Sequence, residues 1–158
     1  MGNVAVKMMM LEYIGFLRMI QLWFHGTHHL TRGTGFSGDH VNLYSKIYTS
    51  AEEQFDGAVE KGIGLLGDEL GCPIHITEKT LEIMSEYPSP IELKSAGQAA
   101  VGLQIEKDFL KFSQNFYDSL KQMGAMTLGL DDMIMANANA HESNAYLLQQ
   151  RIKSALDY

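Results

Sequence analysis

With 158 residues (17.6 kDa), 46% apolar and 20% charged, the chain holds enough apolar matter for one domain with a packed core and too much for a disordered polymer. Its net charge of −7 and its scattered Lys and Arg residues disfavour binding to a nucleic-acid backbone and favour the attraction of cations. The single cysteine, Cys72, excludes an internal disulfide and a Cys-x-x-Cys zinc or redox motif.

The N-terminal run is apolar but carries Glu12 and Arg18, and its uninterrupted pieces are too short to span a bilayer. It also lacks a small-residue cleavage pattern, so a soluble, cytoplasmic chain without a membrane partner is expected. From about Val4 to Leu30 the apolar residues fall at helical steps (Met10, Ile14, Leu17, Phe24), broadened by Leu11, Ile20 and Trp23. Such a wide apolar surface fits an ordinary core helix, or one whose second side packs on another copy of the chain.

Arg32-Gly33-Thr34-Gly35-Phe36-Ser37-Gly38 reads as a loop, with Ser37 or Asp39 available to cap the next helix. This second helix is expected from about His40 to Leu70, stopped by Gly71 and Pro73, with Gly57, Gly62 and Gly64 permitting close backbone packing. ITEKTLEIMSEY then predicts a short helix capped by Thr77 and stopped by Pro-Ser-Pro. A third long helix covers about Ser95 to Met123. A fourth starts at Asp131 or Asp132 with the seam Ile134, Ala138, His141, Ala145, Leu148, Ile152 and Ala155. No stretch alternates as a strand does, and the pattern is that of an all-α, ferritin-like four-helix bundle with a short helix in its central crossover, one domain over residues 1–158.

Two groups of side chains carry candidate chemistry. His25, His28, His29 and His40 bracket the glycine-rich turn, and imidazole suits iron, zinc, copper or nickel. Glu52, Asp56 and Glu60 form a stripe at four-residue steps with Glu53 beside it; such a stripe is either a solvated face or a carboxylate donor set for ferrous ions. On an ideal helix Asp56 and Glu60 point about 160° and 200° away from His40, so one helix does not wrap both groups around one ion. A site made of both needs a second chain, and a two-fold dimer would form two equivalent copies.

His28, Arg32, Gly33, Phe36 and His40, in this spacing, resemble the Dps-like miniferritins, and the likeness runs from the first helix through ELGCPIHITEKT to NANAHESNAYLLQQRI. The resemblance implies an intersubunit ferroxidase site in which His28 and His40 bind iron with Asp56 and Glu60 of a two-fold neighbour, with Glu60 bridging and Asp56 terminal. It also implies a homo-oligomer, a dodecamer around a cavity, that oxidises Fe²⁺ with peroxide or oxygen and stores Fe³⁺ as mineral. His25, His29 and Glu53 stand as reserve ligands, and Zn²⁺ is the alternative ion for the same site.

The chain departs from the family's pattern in several places. Tyr44 stands where a further metal-binding aspartate is usual, His29 where tryptophan is usual, and Asn144 where histidine is common. Glu142 and Tyr146 keep the usual acidic and aromatic characters. Asp56 lies one residue late, with Phe55 and Val59 in the unshifted places, which rotates the acids by about 100° unless a π-bulge or an altered loop restores their aim. Rival readings are a ferritin-like shell without ferroxidase activity, a site for another metal, a purely structural protein, and a DNA-condensing protein, which the charge disfavours.

Overall fold

The computed structural model describes residues 2–156, with side-chain surroundings for residues 3–153. Five long or medium helices are present: α1 (Gly2–Leu30), α2 (Ser45–Leu66), α3 (Pro73–Met84), α4 (Ser95–Gln122) and α5 (Leu128–Leu156). Helix α1 is the organising element and packs against α2, α3 and α4, while α5 lies on α4 and α2. Helix α3 sits in the long α2–α4 connection, so the result is the expected all-α bundle with a helical crossover. Among the described residues no helix is long and apolar enough to cross a membrane.

The breadth of the apolar surface on α1 is used inside the chain. Met10, Tyr13, Ile14, Leu17, Met19, Ile20, Trp23 and Phe24 are all at most 2% exposed, because three helices cover this one; among the described large apolar side chains of α1, Val4, Met8 and Leu22 are exposed. Tyr13 packs its ring against Phe109 and Phe116 of α4 at 5.5 and 5.2 Å, contacts that add about 0.5–1.5 kcal/mol each to the gain from burial. The Tyr13 hydroxyl accepts from Asn137 Nδ2 of α5 at 2.8 Å, and burial pushes its pKa well above the ordinary tyrosine value. The crossover is tied down by polar bonds at both ends of the Pro-Ser-Pro segment: Trp23 Nε1 donates to the Pro88 carbonyl and Gln98 Nε2 to that of Pro90, each at 3.0 Å.

Several boundaries differ from the expectation, each for a local reason. The second helix stops at Leu66, because Gly67 adopts φ +119°, a backbone open to glycine alone; a 3-10 turn, Asp68–Gly71, comes next. Pro73, and not Thr77, opens α3, since proline needs no intrahelical donor at the first position; Thr77 Oγ1 instead donates to the Pro73 carbonyl within the first turns. Helix α5 begins before Asp131: Thr127 Oγ1 accepts from the Leu130 amide and caps it. Neither Ser37 nor Asp39 caps the second helix, and of the three glycines in α2 only Gly62 meets a tight neighbour, Leu70. The seam of α5 is buried at Ile134, His141 and Leu148, and Ala155 lies outside the residues whose side chains are described.

The largest local departure is between loop and α2. The chain re-enters helix at Phe36 and runs as a π-helix over Gly38–Tyr44 before α2 begins. Hydrogen bonds from i to i+5 accommodate an extra residue in the turn, so side chains further along keep the bearing of positions one residue earlier.

Candidate metal centre

Four of the six histidines gather where α1 ends and the π-helix begins. Gly33, at φ +87°, takes the left-handed conformation that turns the chain back on itself, so that His40 lies against His28. The two rings stack in parallel, with centroids 3.7 Å apart and planes 12° from each other. Each Nδ1 lies on the other residue's backbone carbonyl, His28 to His40 O at 2.7 Å and His40 to His28 O at 2.6 Å. A carbonyl only accepts, so both Nδ1 atoms carry a proton, and in the neutral form of either ring the lone pair lies on Nε2. Phe36 stacks on the other side of His40 at 4.8 Å and completes the pile.

Burial, the largest influence, holds the His28 pKa below the ordinary 6.5; the bond to the His40 carbonyl opposes it, and the neighbouring His40, His29 and His25 lower it further. The ring therefore stays neutral, as a metal ligand must be, to lower pH than a free imidazole does.

The orientation of His40 is set from behind. Asp39, 3% exposed, accepts from Arg151 Nε of α5 at 2.8 Å, and Arg151 Nη2 donates to Ser95 Oγ of α4 at 3.0 Å. This pins the π-helix, next to the half-buried His40, to the ends of two other helices. Tyr44 does not reach the site: it is fully buried against Phe24. Burial raises its pKa far above the usual phenol range, Asp39 adds to the rise and Arg151 opposes it. Tyr44, at the place where a further metal-binding aspartate is usual in the resembling family, is thus a core residue here.

His25 and His29 extend the cluster along α1. Their rings are 4.6 Å apart, His29 is 5.2 Å from His28, and His25 stacks on Tyr48 at 4.2 Å. Asp56 and Glu60 lie together on exposed turns of α2 and line one cleft of about 370 Å³ with Arg18, Phe55 and Val59. Arg18 itself is held over the Phe55 ring, 4.6 Å from its centroid. Glu53 is exposed and joins neither group. Among the described residues no three His, Cys, Asp or Glu side chains converge within the chain, and the histidine cluster and the two acids stand apart.

A second polar cluster escaped the sequence reading. In the bundle centre His141 of α5 places Nδ1 2.5 Å from Glu106 Oε2 of α4 and Nε2 2.6 Å from Gln54 Oε1 of α2; Asn144 Nδ2 reaches the other Glu106 oxygen at 3.3 Å. Both Glu106 and His141 are at most 1% exposed. Losing one member of such a buried pair costs about 3–5 kcal/mol, since the other is left without its partner. The available signal was a histidine and a glutamate at core positions of two apolar seams, which reads equally well as packing.

No protein-family model and no curated protein sequence matches this chain. Solved structures do. A Dps from Mycobacterium smegmatis in a tetragonal crystal form superposes with a TM-score of 0.79 at 15% identity, covering 95% of this chain and 87% of that one. The Dps from Thermosynechococcus elongatus gives 0.79 at 15% identity, covering 96% of this chain and 95% of its own. The chain thus has the ferritin-like, five-helix fold of these Dps structures, with its short helical segments in the same crossover.

Proposed function

We propose that this chain is a subunit of a cytoplasmic, Dps-like homo-oligomer, a dodecamer built from two-fold dimers, which oxidises Fe²⁺ with peroxide or oxygen and keeps the ferric product as mineral. The observation that carries this reading is the reciprocal bonding of His28 and His40, which stacks two half-buried imidazoles with each Nδ1 committed to a carbonyl and each Nε2 left as the nitrogen available to an ion. Asp56 and Glu60 supply the complementary half from the neighbouring subunit. The π-helix supports their assignment, because one residue taken up over Gly38–Tyr44 offsets the one-residue lateness of Asp56.

Ferrous ions are the substrate here. The two imidazoles hold them as neutral donors, and the two carboxylates cancel part of their charge and, as hard donors, favour the ferric product. Each Fe²⁺ gives up one electron; a peroxide takes two, and with two protons leaves as two waters. Exposed apolar side chains on one chain, Met8 of α1 and Ile74 and Leu81 of α3, support self-association.

Anaerobic titration of the apo-protein with Fe²⁺, followed by peroxide while ferric absorbance is read, tests the assignment. Saturable binding and fast oxidation in the wild type, with rates at least about tenfold lower in His40→Ala and Glu60→Ala at unchanged oligomer size, are the expected outcome. Wild-type rates in both variants would sink it.

A further inference from the structure

We infer that His25 and His29 form a second divalent-metal site, separate from the His28/His40 pair and complete enough within one chain to bind without the carboxylates. The two residues are four apart on α1, so they stand one turn above each other. An ion bound at about 2.0–2.1 Å from each nitrogen lies about 3.2 Å from each ring centroid, which puts the centroids about 4.5–5.2 Å apart for coordination angles between square and tetrahedral. The observed separation is 4.6 Å, with the planes 36° apart.

The two rings are free to act in a way that the neighbouring pair is not. Neither makes a hydrogen bond to any described residue, whereas the Nδ1 atoms of His28 and His40 are committed to carbonyls. His25 is held in place by its stack on Tyr48, 22° from parallel, so binding costs less ordering than a pair of loose side chains would. His29 is exposed and open to an arriving ion. Both rings lie near the C-terminal end of α1, the negative pole of the helix, where a bound cation is favoured.

The chemistry selects the ion. Two imidazoles with water completing the shell suit Zn²⁺, Ni²⁺ or Cu²⁺ better than Fe²⁺, which gains from carboxylate donors. The chain therefore offers an all-nitrogen site beside a mixed one. This inference stands whether or not the iron reading does.

The test uses the intact protein and Zn²⁺ alone, by titration calorimetry. The His28→Ala/His40→Ala variant, which lacks the iron-binding imidazoles, retains one Zn²⁺ per chain. Adding His29→Ala weakens that binding by at least about tenfold, and the single His29→Ala variant of the otherwise native chain loses one Zn²⁺ equivalent. His29 is exposed and alanine favours helix, so His29→Ala keeps the fold, and the His28→Ala/His40→Ala variant is titrated with its helical circular dichroism and oligomer size matched to the wild type. No Zn²⁺ bound by the His28→Ala/His40→Ala variant, or wild-type stoichiometry and affinity in His29→Ala, overturns the inference.

Discussion

His28 couples the fold to pH. In the unfolded chain it takes a proton at about pH 6.5, while in the fold burial keeps it neutral to lower pH. Between those two values the unfolded state binds more protons, so this contribution to stability is fully present above pH 6.5 and falls as pH drops through the lowered folded value. The urea midpoint should decline as pH is taken down from 7 through that window, and His28→Gln should flatten the decline. An identical pH slope in the variant would mean that other groups carry it. The same lowered pKa keeps the ring neutral to lower pH than a free imidazole. That the histidines gather about the glycine turn was legible from their spacing. What could not be read was which nitrogen is free, because that depends on two carbonyls twelve residues apart in sequence meeting two rings.

At the level of elements, the π-helix is the feature with the sharpest consequence. Deleting Asn42, exposed inside it, should let the segment close as an ordinary α-helix while Ile47, Ala51 and Ala58 of α2 keep their places in the core, at a cost of no more than about 1 kcal/mol. Deleting Gly57, equally exposed and with open space where a side chain would stand, removes one residue from a regular helix. Everything after it rotates by about 100°, taking Ala58 and Gly62 out of the core, and the loss should exceed about 4 kcal/mol. Thermal unfolding of the two deletions distinguishes them, and equal losses would contradict the register argument. Helix existence came from apolar spacing, while the ends came from Gly67, Pro73 and Thr127, whose roles depend on dihedral angle and capping geometry. Pattern alone nominated Gly71, Thr77 and Asp131 instead.

At the scale of the whole molecule, the described histidine cluster and the Asp56–Glu60 pair do not come together within one chain. If each site takes its histidines from one subunit and its acids from the two-fold neighbour, mixing tests the arrangement. In a dimer of His40→Ala with Glu60→Ala, one site carries both defects and the other carries none. Two inactive variants, dissociated and reassembled in equal amounts, should therefore recover about a quarter of wild-type iron oxidation, since about half of the dimers are mixed and each holds one intact site of two. No recovery in properly reassembled oligomers would show that histidines and acids do not pair across this interface.

The alternation of three- and four-residue apolar steps in four long runs was sufficient for the all-α bundle, because helical period is a local property and a face that is apolar on every turn has to be buried. The crossover helix came from length and proline punctuation. Tertiary packing alone decided the rest: that α1 is enclosed by three helices of its own chain, that Tyr44 is core and Asp39 an anchor, and that Glu106 and His141 pair in the centre. Helical spacing says which residues share a face but not what stands opposite. Only contact between segments distant in sequence determines whether a polar side chain meets solvent, a metal or a buried partner.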